Sequence, residues 1–174
     1  GYMMDDECIR MMIEHKTIYV PTLGVSHLSP KQIATRWERQ FMEMWATKIP
    51  PEFFARADQA AAEHKSAFQS ALRAGVRMAL GSDLGPLKDG ALLEMGLWVR
   101  DGATPMQVIK AATRTAAEVC EVSDHLGTIE RGKIADLIVV KDSPLEDINN
   151  LHTLQLVFKD GALAVDKRGG PLMK

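Results

Sequence analysis

The loop Gly81-Ser82-Asp83-Leu84-Gly85 is where this chain offers most to chemistry. Asp83 stands just past the apolar run Val76-Arg77-Met78-Ala79-Leu80, among residues small enough for a ligand to approach the backbone. A carboxylate so placed suits a hard cation or a proton in transit. Aspartate in a glycine-rich loop also caps turns through its side-chain oxygen, and the loop alone leaves both roles open. Ser82 makes no nucleophile elbow, because that turn needs G-x-S-x-G and this one reads G-S-D-L-G.

The other reactive groups are dispersed. His15, His27, His64, His125 and His152 stand singly, without an HxH or HExxH pairing, so the chain by itself spells out no complete zinc site. His27 comes soon after a second apolar run, Thr17-Ile18-Tyr19-Val20, on the side expected for Asp83. It is either a substrate contact or a solvent-facing loop histidine. Cys8 and Cys120 lack a CxxC partner, which fits packing as small hydrophobes in a reducing, cytoplasmic setting. Met4, Cys8, Met11 and Met12 fall near helical spacing and read as core rather than as a soft-metal site.

Both apolar runs read as buried strands, the first stopped by Pro21. Helical periodicity fills the space between them. From Pro30, Ile33, Trp37, Phe41, Met44 and Trp45 share one face, while Lys31, Arg36, Glu38, Arg39 and Glu43 take the other. A second helix runs from about Glu52 to Ala74, with Gly75 as its stop. Asp5 or Asp6 can cap an earlier helix reaching Glu14 or so. Later helices are expected over 91–100 and, after the Thr104-Pro105 start signal, over 106–119. Alternating strands and helices imply a parallel arrangement whose reactive groups gather at the carboxyl ends of the strands, where Asp83 falls. From Asp124 the chain changes to short strands, 137–141, 154–159 and 162–166, with an Asp160-Gly161 hairpin. A boundary near residue 122 separates the two parts.

Of the 174 residues 46% are apolar, enough for a core. The 21 Lys and Arg and 23 Asp and Glu gather into no long run, which gives no reason to expect nucleic acid or an anionic membrane as partner. No apolar stretch approaches the roughly 20 residues that span a bilayer, and the first residues lack the basic and apolar parts of a signal peptide. The missing initiator methionine is what a chain beginning mid-protein would show, and tag removal or processing would leave the same start.

Several stretches together say more than any residue alone. Ala74-Gly75-Val76 through Gly81-Ser82-Asp83 has the form AGV, apolar strand, G-[ST]-D. It is followed in order by Gly102-Ala103-Thr104-Pro105 and by Ala111-Ala112-Thr113-Arg114-Thr115-Ala116-Ala117. Leu126 to Val140 then fits LGxIxxGxxADLxxx, before Ser143-Pro144-Leu145 and Val157-Phe158-Lys159-Asp160-Gly161. The set resembles the carboxyl-terminal half of the metal-dependent amidohydrolases. Asp5-Asp6-Glu7 and Val20-Pro21-Thr22-Leu23 are similar to the imidazolonepropionase-like branch, which includes Xaa-Pro dipeptidases.

The resemblance implies an α/β fold: residues 1–122 as the carboxyl-terminal part of a (β/α)8 TIM-like barrel, and 123–174 as strands of a small composite β-sandwich domain. It implies a hydrolase cleaving the C–N bond of a small-molecule or dipeptide substrate with one or two divalent metals, zinc foremost. In that family an HxH pair, a carboxylated lysine or glutamate, further histidines and the aspartate of the last barrel strand hold the metal. Only that aspartate has a counterpart here, Asp83. Carried over, Asp83 is both metal ligand and the base that takes a proton from the attacking water and passes it to the leaving nitrogen. Lys88 and Asp89 then fall in a variable loop, and Trp37, Phe41 and Trp45 on a helix that either lines the active site or packs as core. Lacking the other ligands, the chain alone is expected to be inactive, with no metal required of it. Its unpaired barrel edges call for self-association or a complementary amino-terminal half. Two rival readings stay open: a non-catalytic truncated chain or assembly module, and a lyase or isomerase on the same barrel.

Overall fold

The computed structural model describes residues 3–27, 31, 33–45, 48, 50–85 and 87–168, apart from the side chains of Trp45, Leu87 and Lys88. The chain forms two compact units, Gly1–Ala103 and Thr104–Lys174.

In the first unit the two apolar runs lie side by side in parallel. Tyr19 N–H donates to Arg77 O (2.9 Å), and Ala79 N–H donates to Tyr19 O (3.1 Å), a single parallel bridge between Tyr19 and Met78. Tyr19, Val76, Met78 and Ala79 are buried, whereas Thr17, Val20 and Arg77 are exposed, so the two runs expected as buried strands meet in one bridge and are covered only in part. At the carboxyl ends a Cβ on Gly81 would lie 2.6 Å from Val20 Cγ1, so the absence of a side chain lets the strand ends meet.

Among the described residues this unit has five helices: α1 (Asp6–Glu14), α2 (Gly24–His27), α3 (Arg36–Trp45), α4 (Pro51–Ala74) and α5 (Leu87–Arg100). In α4, Pro51 opens the first turn and Gly75 closes the helix at φ 77. Ala57, Ala61, His64, Phe68 and Ala71 recur at spacings of three and four and are all buried, which makes one face of α4 the core face. There Phe68 meets Trp98 of α5 with ring centroids 5.1 Å apart, a contact worth roughly 0.5–1.5 kcal/mol beyond the area it buries.

Three expectations from the sequence need correction. Asp5 does cap α1, accepting the Cys8 N–H (2.8 Å), but Ile9 is the residue that turns inward. Met11 is 46% exposed, and both Cys8 and Cys120 are exposed rather than core. In α3 the buried residues are Phe41, Met42 and Glu38. Glu38 leaves the polar face because it accepts the Thr35 N–H (2.8 Å) and pairs with the Arg100 guanidinium (2.9 Å). Phe41 thus packs as core, Trp37 is half-buried, and the start expected at Pro30 lies outside the described residues, as do the side chains of Trp45 and Lys88.

The second unit opens on α6 (Pro105–Lys110), whose start carries a capping box. Thr104 Oγ1 accepts the Gln107 N–H (3.3 Å), and Gln107 Oε1 accepts the Thr104 N–H (2.8 Å). The single helix expected to 119 is interrupted by a wider π turn over Ala111–Thr115 before α7 (Ala116–Val119). Gly127 packs against this stretch at φ 91, and a Cβ there would lie 3.0 Å from Thr113 O. Helix and following loop group together in the unit that begins at Thr104.

Beyond them β1 (Leu137–Val140), β2 (Leu154–Lys159) and β3 (Ala162–Asp166) form an antiparallel sheet in the order β1-β2-β3. Asp160 (φ 52) and Gly161 (φ 78) make the tight turn between β2 and β3. Asp136 of the LGxIxxGxxADL stretch accepts the Asp160 N–H (2.8 Å) and pairs with Lys159, which ties this motif to the hairpin. Lys133 of the same motif donates to Ser123 O (2.8 Å).

Candidate active site

Thr22 follows the bridge residue Tyr19 by three positions and Asp83 follows Met78 by five, and both turn left-handed, at φ 52 and 51. Aspartate tolerates that region better than most residues, whereas β-branched threonine is an outlier there. Backbone strain of this kind gathers at functional sites. Ser82 Oγ accepts the Leu84 N–H (3.4 Å), so the capping role is taken by Asp83's neighbour. The Asp83 carboxylate is exposed and, among the described residues, engaged by no hydrogen bond or ion pair.

The loop after the first strand is fastened from inside. Leu23 N–H donates to Glu94 Oε1 (2.7 Å) and Gly24 N–H to Glu94 Oε2 (2.8 Å), while Trp98 Nε1–H adds a third bond to Oε1 (2.9 Å). Glu94 is fully buried, and that burial pushes its carboxyl up to about 7 although all three donors favour the carboxylate.

His64 of α4 reaches the same loop. Its Nε2 donates to Pro21 O (2.8 Å), which leaves Nδ1 to accept the Ser26 hydroxyl (2.7 Å). Burial drives this histidine down to about 4. His27 is 4% exposed and so is no solvent-facing loop residue. Its Nδ1 faces Leu23 O (2.9 Å) and its Nε2 lies 3.0 Å from Asp101 Oδ2. Lys65 Nζ stands 2.9 Å from the other Asp101 oxygen. Burial alone would raise the Asp101 carboxyl, but His27 and Lys65 outweigh it and hold the group below the ordinary carboxylate range.

The Amidohydrolase family profile matches residues 2–164. The chain belongs to the amidohydrolase family. This amidohydrolase chain is 34% identical to the ochratoxinase of Aspergillus niger over 171 residues, 96% of this chain and 33% of that protein. It is 29% identical to the imidazolonepropionase of Thermoplasma volcanium over 99 residues, 53% of this chain and 24% of that protein. A solved Xaa-Pro dipeptidase with methionine bound in its active site superposes with a TM-score of 0.74 at 34% identity, over 94% of this chain and 38% of that one. The amidohydrolase chain thus spans about a third of the length of the Aspergillus niger ochratoxinase.

Amidohydrolases generally use a divalent metal. The exposed, unengaged Asp83 carboxylate has the charge that a hard cation would require of one ligand. Among the described residues no three His, Cys, Asp or Glu side chains gather as a metal site.

Glu94, Asp101, Lys65, His64 and Ser26 are absent from the sequence reading of the site. One signal was available for Glu94: it shares the core register of α5 with Leu97, Trp98 and Leu93, where an acidic residue needs a partner. The others carry no such mark, because their partners come from distant segments.

Proposed function

We propose that the protein of which this chain is part is a metal-dependent hydrolase of C–N bonds, acting on a dipeptide or an N-acyl amino acid. The observation that carries this reading is the exposed Asp83 carboxylate at the carboxyl end of a parallel strand, in a chain of the amidohydrolase family. The Tyr19–Met78 pair is then part of a (β/α)8 barrel, and the short sheet part of its small β-domain. A bound divalent cation, zinc foremost, polarises the scissile carbonyl and acidifies water to a pKa near 7.

Asp83 serves as one ligand, takes a proton from the attacking water and hands it to the departing nitrogen, which needs a carboxylate free to reach both. His27 contributes to substrate binding through the loop it helps to hold. A complementary amino-terminal segment supplies the remaining ligands.

Asp83→Asn in the complete protein keeps the shape and removes the base. Hydrolysis of Xaa-Pro and N-acyl substrates is expected to fall about a thousand-fold. An unchanged rate on every substrate that the parent accepts would sink the reading.

A further inference from the structure

A fully buried carboxylate that accepts three hydrogen bonds from donors in two segments is costly unless it fixes something. Glu94 does not serve its own helix, since Leu23 and Gly24 lie in the loop after the first strand. These two amides open the short α2, where backbone N–H groups have no partner within the helix. Two neighbouring N–H groups pointing into the core need two acceptors side by side, which a carboxylate provides.

The same face of α5 touches the other loop. Gly90 stands one turn before Glu94, and a Cβ there would lie 2.7 Å from Leu84 O and 3.1 Å from Ser82 Oγ. From the opposite side Gly24 abuts the Leu84 side chain, while a Cβ on it would also come 3.3 Å from Glu94 Oε2. Leu84, the residue after Asp83, is thus wedged between Gly90 on α5 and the loop segment whose amides Glu94 holds.

We propose that Glu94 is the positioning residue of the candidate active site: by accepting hydrogen bonds from the Leu23 and Gly24 N–H groups it seats that loop against Leu84 and so fixes where Asp83 stands. The functional part of this inference rests on the hydrolase reading of Asp83. Its geometric part does not.

Backbone hydrogen exchange on the 174-residue chain tests it. In the parent, the Leu23 and Gly24 amides are expected to exchange at least about a hundred-fold slower than free peptide, and unprotected amides there overturn the proposal. Glu94→Gln can keep its one oxygen on Leu23 and Trp98 while turning its amide toward the Gly24 N–H. The Gly24 amide should then exchange about ten-fold faster or more, with Leu23 still protected and the Asp83 and Leu84 resonances displaced. Unmoved Asp83 and Leu84 resonances overturn the proposal. Should Glu94→Gln fail to fold, Trp98→Phe removes one bond to Oε1 and leaves both loop amides their acceptors, so Leu23 and Gly24 are expected to stay protected; their release overturns the proposal.

In the complete protein Glu94→Gln is expected to lower kcat about ten-fold with KM nearly constant, and a rise in KM alone counts against a positioning role. Asp83→Asn should leave Leu23 and Gly24 as protected as in the parent. If that variant keeps full hydrolysis, the reading of Asp83 fails while the exchange result for Glu94 still stands.

Discussion

The strand-end loops of the first unit and the hairpin of the second are both fastened by a carboxylate accepting backbone N–H groups, in opposite surroundings. Glu94 is fully buried and holds amides 70 and 71 residues earlier in the chain. Asp136 is open to water and holds the amide of Asp160, 24 residues later. Water can replace Asp136 at once, whereas nothing can replace Glu94 without leaving buried donors unpaired. Similar bonds therefore differ in what they secure: inside they specify a loop conformation, outside they trim a turn that its φ angles already define.

The largest expected effect on that contrast comes from Asp101→Ala. It strips His27 and Lys65 of the carboxylate they face, and breaking a buried charge pair costs about 3–5 kcal/mol. Lys65 is 45% exposed and can turn to water, which places the loss near the lower end. Urea unfolding measures it; a loss below about 1 kcal/mol would show the interior to be no more demanding than the sheet.

Next comes pH. Glu94 is raised from 4.5 to about 7 in the fold, so the stability tied to its protonated form is fully present below about 4.5 and lost as pH rises through about 7. His64 is lowered from 6.5 to about 4, so its contribution is present above 6.5 and lost as pH falls through about 4. Each amounts to about 3 kcal/mol, and between about 4.5 and 6.5 they oppose one another. Glu94→Gln removes only the first, so relative to the parent it should gain stability steadily from pH 4.5 to 7. A constant difference between the two proteins over that range would contradict the buried carboxylate.

The smallest effect is expected from Asp136→Ala. Lys159 and the Asp160 amide return to solvent, and the melting midpoint should match the parent's once salt is near about 1 M. A clear loss of stability in high salt would place Asp136 with the interior group instead.

What could be read in the sequence follows the same division. Short-range grammar was legible: the Gly75 stop of α4, the Thr104-Pro105 start, the Asp160-Gly161 hairpin, and the carboxyl-end position of Asp83. Each rests on backbone preferences of a few adjacent residues. The buried network was not legible, because His27 reads like any loop histidine until Asp101 is brought to it by packing, 74 positions later in the numbering. Periodicity also misplaced Glu38 and the Met11 stripe. It reports which residues share a face but not whether that face is covered, and a buried acid such as Glu38 breaks the rule by finding a guanidinium.

The left-handed turns at Thr22 and Asp83 carry one more consequence. Glycine adopts such a backbone without penalty, so a search for hardier variants that ignores activity would favour glycine at both positions. At Thr22 that exchange trims a methyl and a hydroxyl; at Asp83 it deletes the carboxylate itself. With the role proposed for Asp83, robustness and chemistry make opposite demands on position 83, and any thermostabilised version of this chain should be checked there first.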